Sequence, residues 1–307
     1  MRLCFFDEFT LGIVKGDAVV DVSSAVADIP HVQPQELMRG LIEGFATYRP
    51  RLEALVASSN GVPLSSVRIR PPLPHPANIA CMAVNYMEGR DEPAVIDAFL
   101  KSPSAIIGPG DTMVLPDVPA VIFEGEAELA IVISKRASNV LQADAPSYIF
   151  GYTNFIDGSA RGVGSPLSAL YQMKSRDTFA PIGPFIVTAD EVGDAQKLPV
   201  RLWNNGVLCQ DFNTDDMAHK IMRCVEFVTA VHALEAGDLI ATGTSHGGLN
   251  AFMDGDKVEL EIGPLGKLAI NVRDDLKRTW GRETRHQMAE KGTPGPTPQL
   301  TGKYAQS

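Results

Sequence analysis

Glu124, Glu126 and Glu128 stand at alternate positions just ahead of the apolar run 129–133. In an extended strand, positions two apart share a face. The carboxylates would then crowd together at the mouth of a buried strand, where like charges repel unless a cation sits between them. A divalent metal answers that need. Oxygen-only ligation selects a hard ion, Mg²⁺, Mn²⁺ or Ca²⁺, over Zn²⁺. A solvated acidic strand end is the competing reading, because charge runs commonly face water.

Further chemistry-bearing residues follow. Asp157 and Arg161 are exposed at the end of a second strand-like run. Residues 242–248 form a hydroxyl- and glycine-rich loop with Thr244 and His246. Such a loop lets N–H groups and hydroxyls approach an anionic ligand, and serves equally as a plain turn. His75 lies between two prolines and reads as connector, while His219 and His232 fall on a helical face as structural residues. Cys4, Cys81, Cys209 and Cys224 form no C-x-x-C pair and read as buried, reduced thiols.

These residues need strands to position them, and the chain offers many. Short strands are expected at 3–6, 10–15 and 18–21, with Gly16-Asp17 as a hairpin turn. Residues 34–58 carry helical spacing. The proline-rich joint 70–76 marks a boundary after a small leading domain, 1–70. A short strand at 79–84 ends at Asn85-Tyr86, a polar segment 88–92 suits a lid, and 93–101 reads as a short amphipathic helix. The acidic strand spans 123–134, and 148–155 is the next strand. Residues 162–173 read as loop. Asn204-Asn-Gly206 signals a hairpin, and Thr214 is expected to N-cap a helix bearing Met217, Ile221, Val225 and Val228. A last hairpin joins 257–262 to 267–272, and 280–307 reads as a polar tail, loose or lying on a partner subunit. Many short strands and few helices predict a β-rich roll or sandwich, not alternating βαβ units.

The chain has 307 residues and a net charge of −10. That acidity argues against a nucleic-acid or anionic-membrane partner. No apolar stretch approaches the ~20 residues that span a bilayer. The N-terminus lacks a signal-peptide pattern, so a cytoplasmic protein is expected. No G-x-G-x-x-G or P-loop motif points to a nucleotide.

The pieces occur in a recognisable series: Glu126-Ala-Glu128-Leu-Ala, Gly151-Tyr-Thr, Asp157-Gly-Ser-Ala-Arg161, Lys174-Ser-Arg-Asp-Thr-Phe-Ala-Pro, Asn205-Gly, Gln210 and Gly237-Asp-Leu-Ile-Ala-Thr-Gly-Thr244. Over about residues 72–275 the chain resembles the fumarylacetoacetate hydrolase family. The resemblance implies an α+β fold, a mixed β-roll at 71–279 behind the small N-terminal α+β domain, and a homodimer. It implies Mg²⁺ or Mn²⁺ held by Glu126, Glu128 and Asp157, with Glu124 an outer acid. Open positions on the ion would chelate a small 2-oxo or 1,3-dicarbonyl acid. Lys174 matches the lysine near the bound oxygens, and Thr244 the threonine that holds the substrate carboxylate. Tyr86, Arg161 and Gln210 complete the implied substrate site. The metal would act as a Lewis acid on the keto group and stabilise an enolate as a C–C bond breaks.

Departures from the family pattern bear on the reaction. Hydrolases of acylpyruvates carry a lid histidine after Asn-Tyr, with a glutamate three residues on. Here Gly89 takes the histidine position and only Glu92 matches its partner. Glu92 or Glu88 acting alone, or His246 from another loop, would supply the base. A reaction without attacking water is the alternative. Gly162 and Gly164, where Asp and Gln are common, predict a roomier, less polar wall and a bulkier or less polar substrate end than fumarate. The first reading is a metal-dependent hydrolase of an acylpyruvate or fumarylacetoacetate. The alternatives are a decarboxylase, hydratase or isomerase of a related 2-oxo acid, or a silent binder of one.

Overall fold

In the computed structural model, which describes residues 1–165 and 169–305, the chain begins as a meander of β1 (Arg2–Phe6), β2 (Thr10–Lys15) and β3 (Ala18–Asp21). Gly16 turns β2 into β3 at φ +64°, a conformation that suits glycine. Two helices follow, α1 (Pro34–Glu43) and α2 (Phe45–Ser58). α1 opens with Pro34 in its first turn and a capping box between Gln33 and Glu36, and buries Leu37, Met38, Leu41 and Ile42.

The middle of the chain supplies β4 (Ile79–Ala83), β5 (Asp97–Lys101), β6 (Ile122–Ile133), β7 (Ile149–Arg161), α3 (Ala169–Lys174) and β8 (Ala180–Thr188). Then come β9 (Pro199–Asn204), β10 (Val207–Asn213), α4 (Ile221–Val231), β11 (Leu239–Ala241), β12 (Lys257–Ile262), β13 (Lys267–Arg273) and α5 (Arg285–Glu290). One 12-stranded sheet runs from Val62–Pro63 through β3-β2-β1-β8-β7-β6-β11-β4-β5 along its main path. It is mixed, since β11 runs parallel to β4 while β6, β7 and β8 are antiparallel. A second sheet runs β10-β9-β12-β13, with Thr112–Val114 beside β13. The sheet-rich α+β architecture is the one expected. The first sheet crosses the proline joint, because β1 pairs with both β8 and Ile69–Arg70.

β6 is buried along its whole length. A strand covered on both faces reads as a continuous apolar run, which explains 129–133. Alternation sends its residues into two cores. Ala127, Leu129, Ile131 and Ile133 join Leu202, Leu260 and Val225 on one side. Ala130 and Val132 join Phe155, Leu37 and Leu41 on the other. The acids at 124, 126 and 128 lie on this second face.

Four expectations are corrected. Residues 93–101 are not helical: Asp97–Lys101 is a strand paired with β4, from Ile79 opposite Lys101 to Ala83 opposite Asp97. The helical spacing of its apolar residues yields to backbone pairing supplied by the neighbouring strand. Thr214–Asp216 is a single 3₁₀ turn capped by the Asn213 side chain, and the helix starts only at Ile221. Part of the expected loop 162–173 is α3, while 166–168 lie outside the described residues. The tail is not loose. Trp280 is buried, with Nε1 donating to Val121 O at 2.7 Å, and α5 packs back on the body. Among the described residues no helix is long and apolar enough to cross a membrane.

Candidate metal and substrate site

The β6–β7 register sets Glu126 directly opposite Asp157, with Glu124 opposite Ser159 and Glu128 opposite Phe155. Opposed residues share a face, so both strands aim their acids at one spot. One carboxylate oxygen from each of Glu126, Glu128 and Asp157 lies within 4.8 Å of the others, and all three residues are buried. Glu124 stays outside this group.

Cations ring the trio. Lys174 Nζ reaches Glu126 Oε1 at 2.8 Å and Asp157 Oδ2 at 2.6 Å. Lys101 Nζ reaches Asp157 Oδ1 at 2.5 Å and Gly158 O at 3.1 Å. Arg161 donates Nη2 to Glu126 and Nε to Glu124 Oε2, the latter at 2.9 Å. Burial alone would raise the Glu126 carboxyl, but Lys174 and Arg161 outweigh it and hold the group well below the usual range. Burial would lower the Lys174 ammonium, but Asp157 and Glu126 keep it above its ordinary value.

Glu128 is different. Its Oε2 accepts the Gly243 N–H at 2.7 Å, but its buried Oε1 has no hydrogen-bond partner among the described residues. Burial, then the charges of Asp157 and Glu126, push its carboxyl well up. An orphaned buried carboxylate oxygen, in a donor set made only of carboxylates, fits a hard divalent cation.

The other expected residues divide by place. Gln210, on β10, joins two parts of the site. Its Oε1 accepts the Ala127 N–H at 3.0 Å, and its Nε2 donates to Thr244 Oγ1 at 2.9 Å and Ser245 O at 2.7 Å. Tyr86 is buried edge-on to Phe212, with ring centroids 4.9 Å apart, and the Glu128 charge adds to the burial that raises its phenol. His246 is near enough to the trio that it would help to lower Glu126 when protonated. Its backbone N–H donates to the Glu88 carboxylate, and its Nδ1 lies 3.3 and 3.4 Å from the two Glu88 oxygens. Glu88 is half-buried, which raises its carboxyl, yet the bonds from His246 bring it below the ordinary value. Glu92 is exposed on the lid and is not brought to this cluster.

Gly162 does not make room. A Cβ there would stand 2.6 Å from Val121, and Gly162 and Gly164 sit at φ +77° and +92°. Backbone conformation accounts for both glycines, and Arg161 keeps the neighbouring wall cationic. A cavity of about 400 Å³ opens beside Gln210 and Ser245, lined also by Thr284 and Gln287.

Sequence reasoning missed Lys101 and Arg285. Arg285 grips Glu124 with Nε at 3.0 Å and Nη2 at 2.5 Å. Lys101 meets its partner 56 residues away. A period-two reading of 97–101, putting Asp97, Phe99 and Lys101 on one side, was the available signal.

A mixed roll carrying a buried carboxylate trio ringed by lysines and arginine defines a class of metal-binding enzymes, and the comparisons give its family. The sequence profile of the fumarylacetoacetate hydrolase C-terminal domain matches residues 77–273. The chain belongs to the fumarylacetoacetate hydrolase family. It is 31% identical over 291 residues to a maleylpyruvate hydrolase of Aquipseudomonas alcaligenes, covering 89% of this chain and 99% of that protein. An oxaloacetate tautomerase of Bacillus subtilis is 30% identical over 284 residues, covering 85% of this chain and 94% of its own. The crystal structure of a maleylpyruvate hydrolase from Sphingobium sp. SYK-6, in complex with manganese(II) and pyruvate, has a TM-score of 0.81 at 36% identity. That match covers 89% of this chain and 99% of the other. The protein is, like these relatives, an enzyme.

Proposed function

We propose that the protein is a divalent-metal-dependent hydrolase that splits an acylpyruvate into pyruvate and a carboxylic acid. Glu126, Glu128 and Asp157 would hold the ion, Mg²⁺ or Mn²⁺, which supplies Lewis-acid polarisation of the 2-oxo group when bound. The observation that carries hydrolysis over other 2-oxo-acid chemistry is the pairing of His246 with Glu88. The lid has Gly89 where a base would stand, and this pair offers a histidine from the facing loop. With Nδ1 turned to Glu88, His246 Nε2 has no hydrogen-bond partner among the described residues, and its lone pair can take a proton.

His246 accepts the proton of a water as its oxygen bonds to the acyl carbonyl carbon. The adjoining C–C bond then breaks, and its electron pair stays on the pyruvate half as an enolate. Lys174, held charged by Asp157 and Glu126, offsets that negative charge. Protonation at carbon gives pyruvate. The sum is acylpyruvate plus water to pyruvate, a carboxylate and one proton. Thr244, oriented by Gln210, positions the substrate carboxylate, and Tyr86 closes the apolar side.

The relatives support this reading, one of them crystallised with both manganese and pyruvate. The tautomerase relative favours a second reading, in which the trio and Lys174 interconvert keto and enol forms with no attacking water. Four unpaired cysteines suit work in the reducing cytoplasm. A homodimer belongs to the same proposal, and sedimentation velocity tests it.

Product analysis decides the reaction. With Mn²⁺ or Mg²⁺, acylpyruvates should yield equimolar pyruvate and acid, and Glu128→Ala should yield none. His246→Gln should lower kcat by about 10²–10⁴ while leaving KM within a few-fold. Release of CO₂, or keto–enol exchange alone, would overturn hydrolysis.

A further inference from the structure

The chain leaves β4 through the turn 84–90, and two of its residues hold backbone conformations that L side chains avoid. Val84 sits at φ +51° and Glu88 at φ +49°. Such residues persist only where contacts from outside over-determine them. Here the contacts come from 214–219, between β10 and α4. Asn85 is buried, and its carbonyl accepts the Ala218 N–H at 2.9 Å while its Oδ1 accepts the His219 N–H at 2.9 Å. Its Nδ2 donates to Thr242 O at 2.9 Å, which ties the root of the turn to the loop that carries Thr244 and His246.

Further along, Asp216 takes hold twice. Its carbonyl accepts the Met87 N–H at 2.9 Å, and its carboxylate Oδ2 accepts the Glu88 N–H at 3.0 Å. The Glu88 carboxylate in turn accepts the His246 backbone N–H and lies 3.3 and 3.4 Å from His246 Nδ1. Arg90 Nη2 also donates to Glu88, at 2.9 Å, but Arg90 belongs to the same turn and does not anchor it to the body. Among the described residues, Asp216 is the one side chain outside the turn and the His246 loop that bonds Glu88. An imidazole nitrogen facing a carboxylate carries the hydrogen, and the other nitrogen then keeps its lone pair.

We infer that Asp216 is a positioning residue: by holding Glu88 against His246, it sets the Nδ1–H tautomer that leaves Nε2 ready to take a proton. The inference rests on the hydrolase reading proposed above and deepens it by naming what orients the base.

The test uses the enzyme loaded with diamagnetic Mg²⁺, above the titration range of histidine. The ¹⁵N shifts of the imidazole nitrogens report which one carries the hydrogen, and His246→Gln assigns the signals. Wild type should show Nδ1–H at His246. Asp216→Ala should give mixed tautomers and lower kcat on acylpyruvates by on the order of tenfold to a hundredfold, with KM nearly unchanged. Asp216→Asn keeps an oxygen for the Glu88 N–H and should restore the tautomer and most of kcat. Hydrogen on Nε2 in wild type overturns the inference with no variant needed, so a misfolded variant leaves it testable. Full kcat and an unchanged tautomer in Asp216→Ala would overturn it too. Equal losses in both variants with the tautomer unchanged would reduce Asp216 to a structural tie and sink the inference, with hydrolysis intact. If wild type cleaves no acylpyruvate while the tautomer still follows Asp216, the hydrolase reading falls and the hold of Asp216 on His246 stands.

Discussion

Glu128 carries the electrostatic conflict of the site. It is buried beside Asp157 and Glu126, no lysine reaches it, and its Oε1 stands alone. Its folded carboxyl titrates above its unfolded value of 4.5. The folded state therefore binds the extra proton, and the group's contribution is fully present below 4.5 and lost as pH rises through the folded value. Glu126 has the opposite sign. Its depressed carboxyl contributes stability above 4.5 that is lost as pH falls. Glu128→Gln should accordingly stabilise the chelator-treated protein at pH 8, with the gain shrinking toward pH 5. Each kcal/mol regained raises Tm by about 2–4 °C. The same variant should lose Mn²⁺ binding in calorimetry. A melting gain that is equal at both pH values would show that the Glu128 charge is not its source. Stability given up for a binding group is a familiar trade at functional sites.

At the scale of elements, pairing places the chemistry. β6 and β7 bring Glu126 to Asp157, and β5 brings Lys101 to Asp157 and Gly158 on β7 from across the sheet. The turn after β11 is as demanding. Gly243 sits at φ +85°, and a Cβ there would stand 3.0 Å from Asn85 Cβ. This conformation aims its N–H at Glu128. Gly243→Ala should cost about 1–2 kcal/mol for the left-handed backbone and weaken Mn²⁺ binding as Glu128 loses its aligned donor. Thermal melts and calorimetric titration check the two effects separately. Mn²⁺ affinity that survives the substitution would mean that the trio needs no help from this turn.

At the scale of the whole molecule, the C-terminal segment closes the site that the central sheet opens. Trp280 packs edge-on to Phe123 with centroids 5.9 Å apart, and Arg285 shares Glu124 with Arg161. Ending the chain after Arg278 leaves Glu124 buried with one cation fewer. Breaking a buried charge pair costs about 3–5 kcal/mol, so the truncated protein should melt roughly 10 °C lower by the same Tm scaling. It should also lose turnover even where it remains folded. Differential scanning calorimetry and an acylpyruvate assay at low temperature read both. A truncated protein as active and as stable as the full chain would confine the site to the family-matching region.

Several features follow from local order alone and were legible in the sequence. Alternation along 124–128 puts the acids on one face whatever packs against them. The turn residues of 16–17 and 205–206 fix their hairpins, and the spacing of Glu126, Glu128, Asp157 and Lys174 carries the family. Contacts between distant segments were not legible. The spacing within 93–101 suits a helix, and only β4 lying alongside makes it the strand that delivers Lys101. Likewise 280–290 is polar by composition, and only the folded body supplies the buried Glu124 and the loop carbonyls that hold it. His246 was a candidate from its place after Thr244, but its pairing with Glu88 joins loops 158 residues apart. Local pattern decides which face a side chain takes. Long-range packing decides what it meets there, because a partner's position depends on the whole chain between them.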